Sequence, residues 1–140
     1  MSAQAGVKMS IDFEGAKEVL AKLRKLPPAV IEAALDDAAA SQETEVSVRF
    51  ERGIGPDGQA WKGLSKKTLK YRKGHGKPLT VSGLLGGSIT RRVSAQSASV
   101  GTNYELAPYH QFGTSRGIPA RPFIGWSPEG QEEVVDILRA

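Results

Sequence analysis

Val7, Met9, Ile11 and Phe13 alternate with polar neighbours, and this period of two predicts a half-buried strand near the start of the chain. The period then changes. Ala16, Val19, Leu20, Leu23 and Leu26 recur at intervals of three and four, which marks one face of a helix. Pro27-Pro28 ends that helix, because proline lacks the amide hydrogen and clashes with the preceding turn. A second helix opens at Pro28 or Ala29, since a proline is tolerated in a first turn. Its stripe is Ile31, Ala34, Leu35, Ala38, Gln42, Val46 and Arg49 or Phe50. That stripe predicts about five turns, the longest helix of the molecule.

The glycines of "RGIGPDGQAW" and its Pro56-Asp57-Gly58 require a turn. "SKKTLKYRK" reads as a short basic helix capped by Ser65, "GHGKP" breaks it, and one further helical turn begins near Ser82. "SITRRVS" and "SASVGTN" read as two strands joined by a tight turn near Ala95 and Gln96. A short helix over Leu106 to Phe112, a last strand at "FIGWS" and a closing helix with Val134, Ile137 and Leu138 on its apolar side complete the pattern. Helices first, a small antiparallel sheet later and a C-terminal helix define an α+β fold. One domain over 1–140 is expected, with mobile loops near 53–60, 73–78 and 113–119.

Composition narrows this picture. The chain has 140 residues, enough for one ordinary core, and 39% hydrophobic with 24% charged residues is a globular balance. Cysteine is absent, which removes disulfides and thiolate metal sites. No apolar run approaches the roughly 20 residues of a membrane span. The N-terminus lacks the pattern of a secretory signal, so a protein made in the cytoplasm without a membrane partner is expected. The net charge of +4 is unevenly placed. Eleven Lys or Arg lie between Arg49 and Arg92, against only Glu51 and Asp57. Within this stretch Lys66, Lys67, Lys70, Arg72 and Lys73 surround Tyr71, cations with one ring for stacking. A nucleic-acid module is therefore an alternative, although no helix-turn-helix, zinc-finger or RNA-recognition signature accompanies it.

Catalysis finds little support. His75 sits between glycines, where an imidazole would be poorly held. His110, beside Tyr109 and Phe112, is better placed but lacks an evident nucleophile and orienting group. No zinc-binding spacing and no phosphate-loop motif is present. Asp36-Asp37 and Glu132-Glu133 fall on helices, where paired acids usually form a solvated face. No enzyme, metal or cofactor is expected.

The most telling stretch is Tyr109 to Ser127, "YHQFGTSRGIPARPFIGWS". Pro119 and Pro122 hold Ala120-Arg121 extended, so Arg121 is presented for a bidentate contact with a carboxylate, inside the fold or across subunits. His110, Gln111 and Phe112 buttress the following segment, where Phe123, Ile124 and Trp126 seat on the core. Two earlier pieces accompany it in order. They are Pro56, Asp57, Gly58 and Trp61, then Ser82, Gly83, Leu84, Ser88 and Ile89. Val100 to Asn103, His110 to Gly113 and Pro119 to Phe123 complete the set. Together these resemble the phage virion morphogenesis family, the tail completion proteins of Mu-like and P2-like tailed phages.

The resemblance implies a non-enzymatic structural protein of the virion's head–tail junction, made in the host cytoplasm. Its implied partners are other copies in a ring, a hexamer by the sixfold habit of tails, and the tail tube, terminator or connector proteins. Non-specific contact with passing DNA is compatible with such a ring. The expected interface or structural residues are Pro56, Asp57, Gly58, Trp61, Gly83, His110, Gln111, Phe112, Gly113, Arg116, Pro119, Arg121, Pro122 and Phe123.

Overall fold

A computed structural model describes residues 6–63 and 84–139. Strand β1 (Val7–Ser10) leads into helix α1 (Glu14–Leu23), and the long helix α2 (Pro28–Arg52) follows. After the 53–63 loop come a single turn α3 (Leu84–Gly87) and strands β2 (Thr90–Val93) and β3 (Ala98–Thr102). A short helix α4 (Ala107–Phe112) and the closing helix α5 (Pro128–Arg139) end the chain. The α+β architecture expected from the sequence is present.

α2 follows the predicted stripe closely. Ile31, Leu35, Ala38, Gln42, Val46, Arg49 and Phe50 are all buried, with Ala39 beside them. It is longer than the stripe suggested, because 25 residues make about seven turns. No breaker occurs until Gly53. Leu26 departs from expectation: it lies beyond the end of α1 and is exposed.

The three strands form one antiparallel sheet in the order β1-β3-β2. The N-terminal strand thus joins a sheet whose other strands lie about ninety residues later, with Met9 opposite Val100 and Arg91 opposite the same residue on the other side. Alternation sends Val7, Met9, Ala98, Val100 and Thr102 to the inner face, where α2 packs. α5 lies against α2 and α1, burying Val134 and Leu138. Ser127 starts it: its Oγ accepts the Gly130 amide at 2.8 Å, and Pro128 occupies the first turn. Among the described residues no helix is long and apolar enough to cross a membrane.

One element is corrected. Residues 123–127, expected as a last strand, form no ladder among the described residues and remain irregular. Pro122 and Pro128 flank the segment, and the Phe123 and Ile124 amides go to the Gln111 side chain rather than to a neighbouring strand.

Candidate functional site

Residues far apart in sequence converge on 121–124. Gln111, on the inner side of α4, accepts the amides of Phe123 (3.0 Å) and Ile124 (3.1 Å) at Oε1. Its Nε2 donates to the Ile124 carbonyl at 2.7 Å. One side-chain amide, carrying an acceptor and a donor like a peptide unit, thus replaces the missing neighbour strand. Trp61 Nε1 donates to the Pro122 carbonyl at 2.6 Å, and Arg49 Nη1 to the Phe123 carbonyl at 2.8 Å. The Phe123 ring is fully buried and lies 5.3 Å from Phe50, which in turn meets Trp61 edge-on at 5.6 Å.

Arg121 reaches the other way. Its Nε donates to the Lys62 carbonyl at 2.7 Å and its Nη2 to the Gly63 carbonyl at 2.9 Å. Both of these acceptors are main-chain carbonyls of separate residues, where a bidentate contact with one carboxylate was expected. The Arg121 amide also donates to the His110 carbonyl at 2.7 Å. The 53–63 loop is shaped to be held this way. Asp57 Oδ1 accepts the Gln59 amide, Gly58 donates to the Gly55 carbonyl, and Ile54 bridges Ala60.

α4 ends at Gly113, whose φ of +75° favours glycine. A Cβ there would also lie 2.8 Å from the Ala120 amide nitrogen and 2.9 Å from the Ile118 carbonyl. The chain therefore returns close beside the helix end only because position 113 has no side chain. Gln111 points in, and the outer side of the same helix displays Leu106, Tyr109 and Phe112 at intervals of three. Phe112 is 71% exposed, the most of any large apolar residue described. Ile118 and Arg116, both exposed, border Tyr109 in a shallow depression completed by Thr114 and Ser115.

Burial dominates the electrostatics of the site. Burial holds the Arg49 guanidinium below its ordinary pKa, with Glu45 opposing the shift. Burial also lowers the pKa of His110, and the nearby positive charge of Arg121 adds to the effect, so its imidazole is neutral at neutral pH. Among the described residues its buried Nδ1 has no hydrogen-bond partner. Among the described residues, no group of three His, Cys, Asp or Glu is arranged to hold a metal.

The expected site residues therefore separate. Trp61, Arg121 and Phe123 are buried in the clamp, with His110, Gln111, Gly113, Pro56 and Pro119 half-buried around it. Asp57, Gly58, Phe112, Arg116 and Pro122 are exposed. Gly83, the expected loop at 73–78 and the cations Lys66, Lys67, Lys70, Arg72 and Lys73 lie outside the described residues. The basic surface itself is altered at two places. Arg49 is only 2% exposed, and Arg91 is paired with Asp36 at 2.8 Å and Glu43 at 2.9 Å. Sequence reasoning missed Arg49 as an anchor, although its position on the α2 stripe was the signal that outweighed its charge.

Comparison with known proteins extends these observations. The chain is 33% identical over 139 residues to the Mu-like prophage FluMu G protein 2 of Haemophilus influenzae, covering 94% of each chain. It is 33% identical over 113 residues to the G protein of Escherichia phage Mu, whose name proposes a part in capsid assembly, covering 72% of each. The FluMu G protein 1 of the same Haemophilus strain is 36% identical over 94 residues, covering 64% of each. No solved structure gives a significant match. Residues 11–140 match the model of the phage virion morphogenesis family, and this chain belongs to that family as a structural protein of virion assembly.

Proposed function

We propose that the protein acts at the head–tail junction, where copies assemble into a closed ring that docks onto neighbouring tail or connector proteins through the outer side of α4. The observation that carries this reading is the contrast across one six-residue helix. Gln111 fixes α4 to the core with three hydrogen bonds, while Phe112, the next residue, stands in solvent. A rigidly held apolar ridge loses little conformational freedom on docking, and the cores of protein interfaces are built from such aromatic residues. Leu106, Tyr109 and Ile118 extend the ridge, and Arg116 at its border suits the partly polar rim of a contact.

Membership of a virion morphogenesis family supports a role in particle assembly. A ring follows from the economy of closed symmetry, in which one head-to-tail interface is used repeatedly, and six copies would match a sixfold tail. The alternative, a nucleic-acid module on 49–92, is weakened by the burial of Arg49 and the pairing of Arg91. Exchanging Phe112→Asp in the phage tests the docking face. The expected result is folded protein with particles in which heads and tails fail to join. Normal infectious yield from this variant would remove α4 from the interface, and electron microscopy of the purified protein tests the ring directly.

A further inference from the structure

Among the described residues the sheet has one face packed on α2 and one open face. On the open side lie Lys8 and Ser10 of β1, Ser99 and Gly101 of β3, and Thr90 and Arg92 of β2, by the alternation of a paired strand. Gly101 is the floor. β1 runs so close that a Cβ there would lie 2.3 Å from the Val7 carbonyl oxygen and 2.7 Å from Lys8 Cα, so only glycine fits. The absent side chain leaves a shallow groove of about 170 Å³ between the Lys8 and Arg92 sides. Among the described residues no carboxylate lines it. Lys8 and Arg92 are exposed and make no ion pair with any described residue, unlike Arg91, whose two carboxylate partners lie on α2.

The complementary surface is on the same chain. Glu129, Glu132, Glu133 and Asp136 are all exposed and lie within one side of α5, opposite the buried Val134 and Leu138. They too make no ion pair among the described residues. α5 packs on α2 and α1, and among the described residues none of these acids pairs with Lys8 or Arg92 of the sheet. The spacings agree. Lys8 and Arg92 sit two strands and two residues apart, about 12 Å between Cα atoms by standard sheet dimensions. Glu129 and Asp136 are about 10.5 Å apart along the axis of an α-helix.

We propose that the open sheet face of one copy receives the acidic side of α5 from a second copy. This inference rests on the ring reading and assigns its repeating contact: two different surfaces of one chain, cationic and anionic, meet head to tail. A contact of this kind supplies orientation and register more than affinity, so it is sensitive to salt and matures within a ring.

The test uses two variants of the full chain, both altered only at exposed positions. Lys8→Glu with Arg92→Glu makes the sheet face anionic. Glu132→Lys with Glu133→Lys and Asp136→Lys makes α5 cationic while sparing the first turn. Sedimentation velocity at low and high salt reads the association, and unchanged melting temperatures verify folding. Wild-type protein is expected to self-associate more weakly as salt rises. Each variant alone should associate about a hundredfold more weakly or worse, since like charges then face each other. An equimolar mixture of the two should regain association, because every contact in an alternating ring again pairs opposite charges. Association of both variants at the wild-type level would overturn this contact and leave the ring reading standing. A wild-type protein that stays monomeric at every concentration and salt would overturn both. A third result would also overturn it: duplex DNA bound by the wild type and lost only in the sheet variant, with no rescue in the mixture, would assign the groove to phosphate.

Discussion

On its inner side α4 commits Gln111 and the His110 carbonyl to the 121–124 segment, whereas on its outer side it leaves Leu106, Tyr109 and Phe112 in water. Neighbouring residues in one short helix therefore face two different environments. The inner set satisfies backbone groups that have no strand to pair with, so its loss is a loss of fold. Among the described residues the outer side chains make no hydrogen bond or ring contact, so their loss should be silent until a partner is present. The difference teaches that a dense motif in sequence need not be one site. "YHQFG" is half scaffold and half surface.

Breaking the scaffold gives the largest effects. Phe123→Ala empties a fully buried aromatic site beside Phe50 and should cost about 3–5 kcal/mol in urea unfolding. Gln111→Leu strands the Phe123 and Ile124 amides and the Ile124 carbonyl, for an expected loss of about 3 kcal/mol by the same measurement. Gly113→Ala places a side chain at φ +75° against the returning backbone, and about 1–3 kcal/mol should follow in thermal unfolding. Phe112→Ser, one position away from both, should change stability by less than about 0.5 kcal/mol. If Phe112→Ser and Gln111→Leu proved equally destabilising, the division of α4 into two sides would fail.

The smallest effect is a dependence on pH. His110 has a folded pKa below its ordinary value through burial and Arg121, so the fold favours the neutral imidazole. Its contribution is fully present above about pH 6.5, the unfolded value, and is lost as pH falls through the lower folded value. Denaturation midpoints of wild type and His110→Gln should therefore diverge between neutral and mildly acidic pH, with the wild type falling more steeply. Parallel profiles would show that His110 does not carry the effect.

Much of this molecule was legible in one dimension. The α2 stripe, the proline break before it, the β2–β3 hairpin and the apolar side of α5 all follow from local periodicity, which needs no knowledge of partners. The motif set that identified the family was legible too, because its glycines and prolines mark backbone geometry directly. The segment 123–127 was not. Its apolar residues suit a strand, and whether a ladder forms depends on a neighbour that the local sequence does not name. Arg49 shows the same limit from the other side. Its place on the α2 stripe puts it inside, but nothing local names the Phe123 carbonyl, 74 residues away, that it bonds there.

The sequence by itself determined the order and type of most elements, since these arise from contacts within a few residues. Only the tertiary structure decided that β1 completes the sheet, that Trp61, Arg49, Gln111 and Arg121 close on one segment, and that Phe112 is left outside. Those choices depend on long-range hydrogen bonds and packing, where a side chain's role is fixed by what the rest of the chain brings within about 3 Å of it.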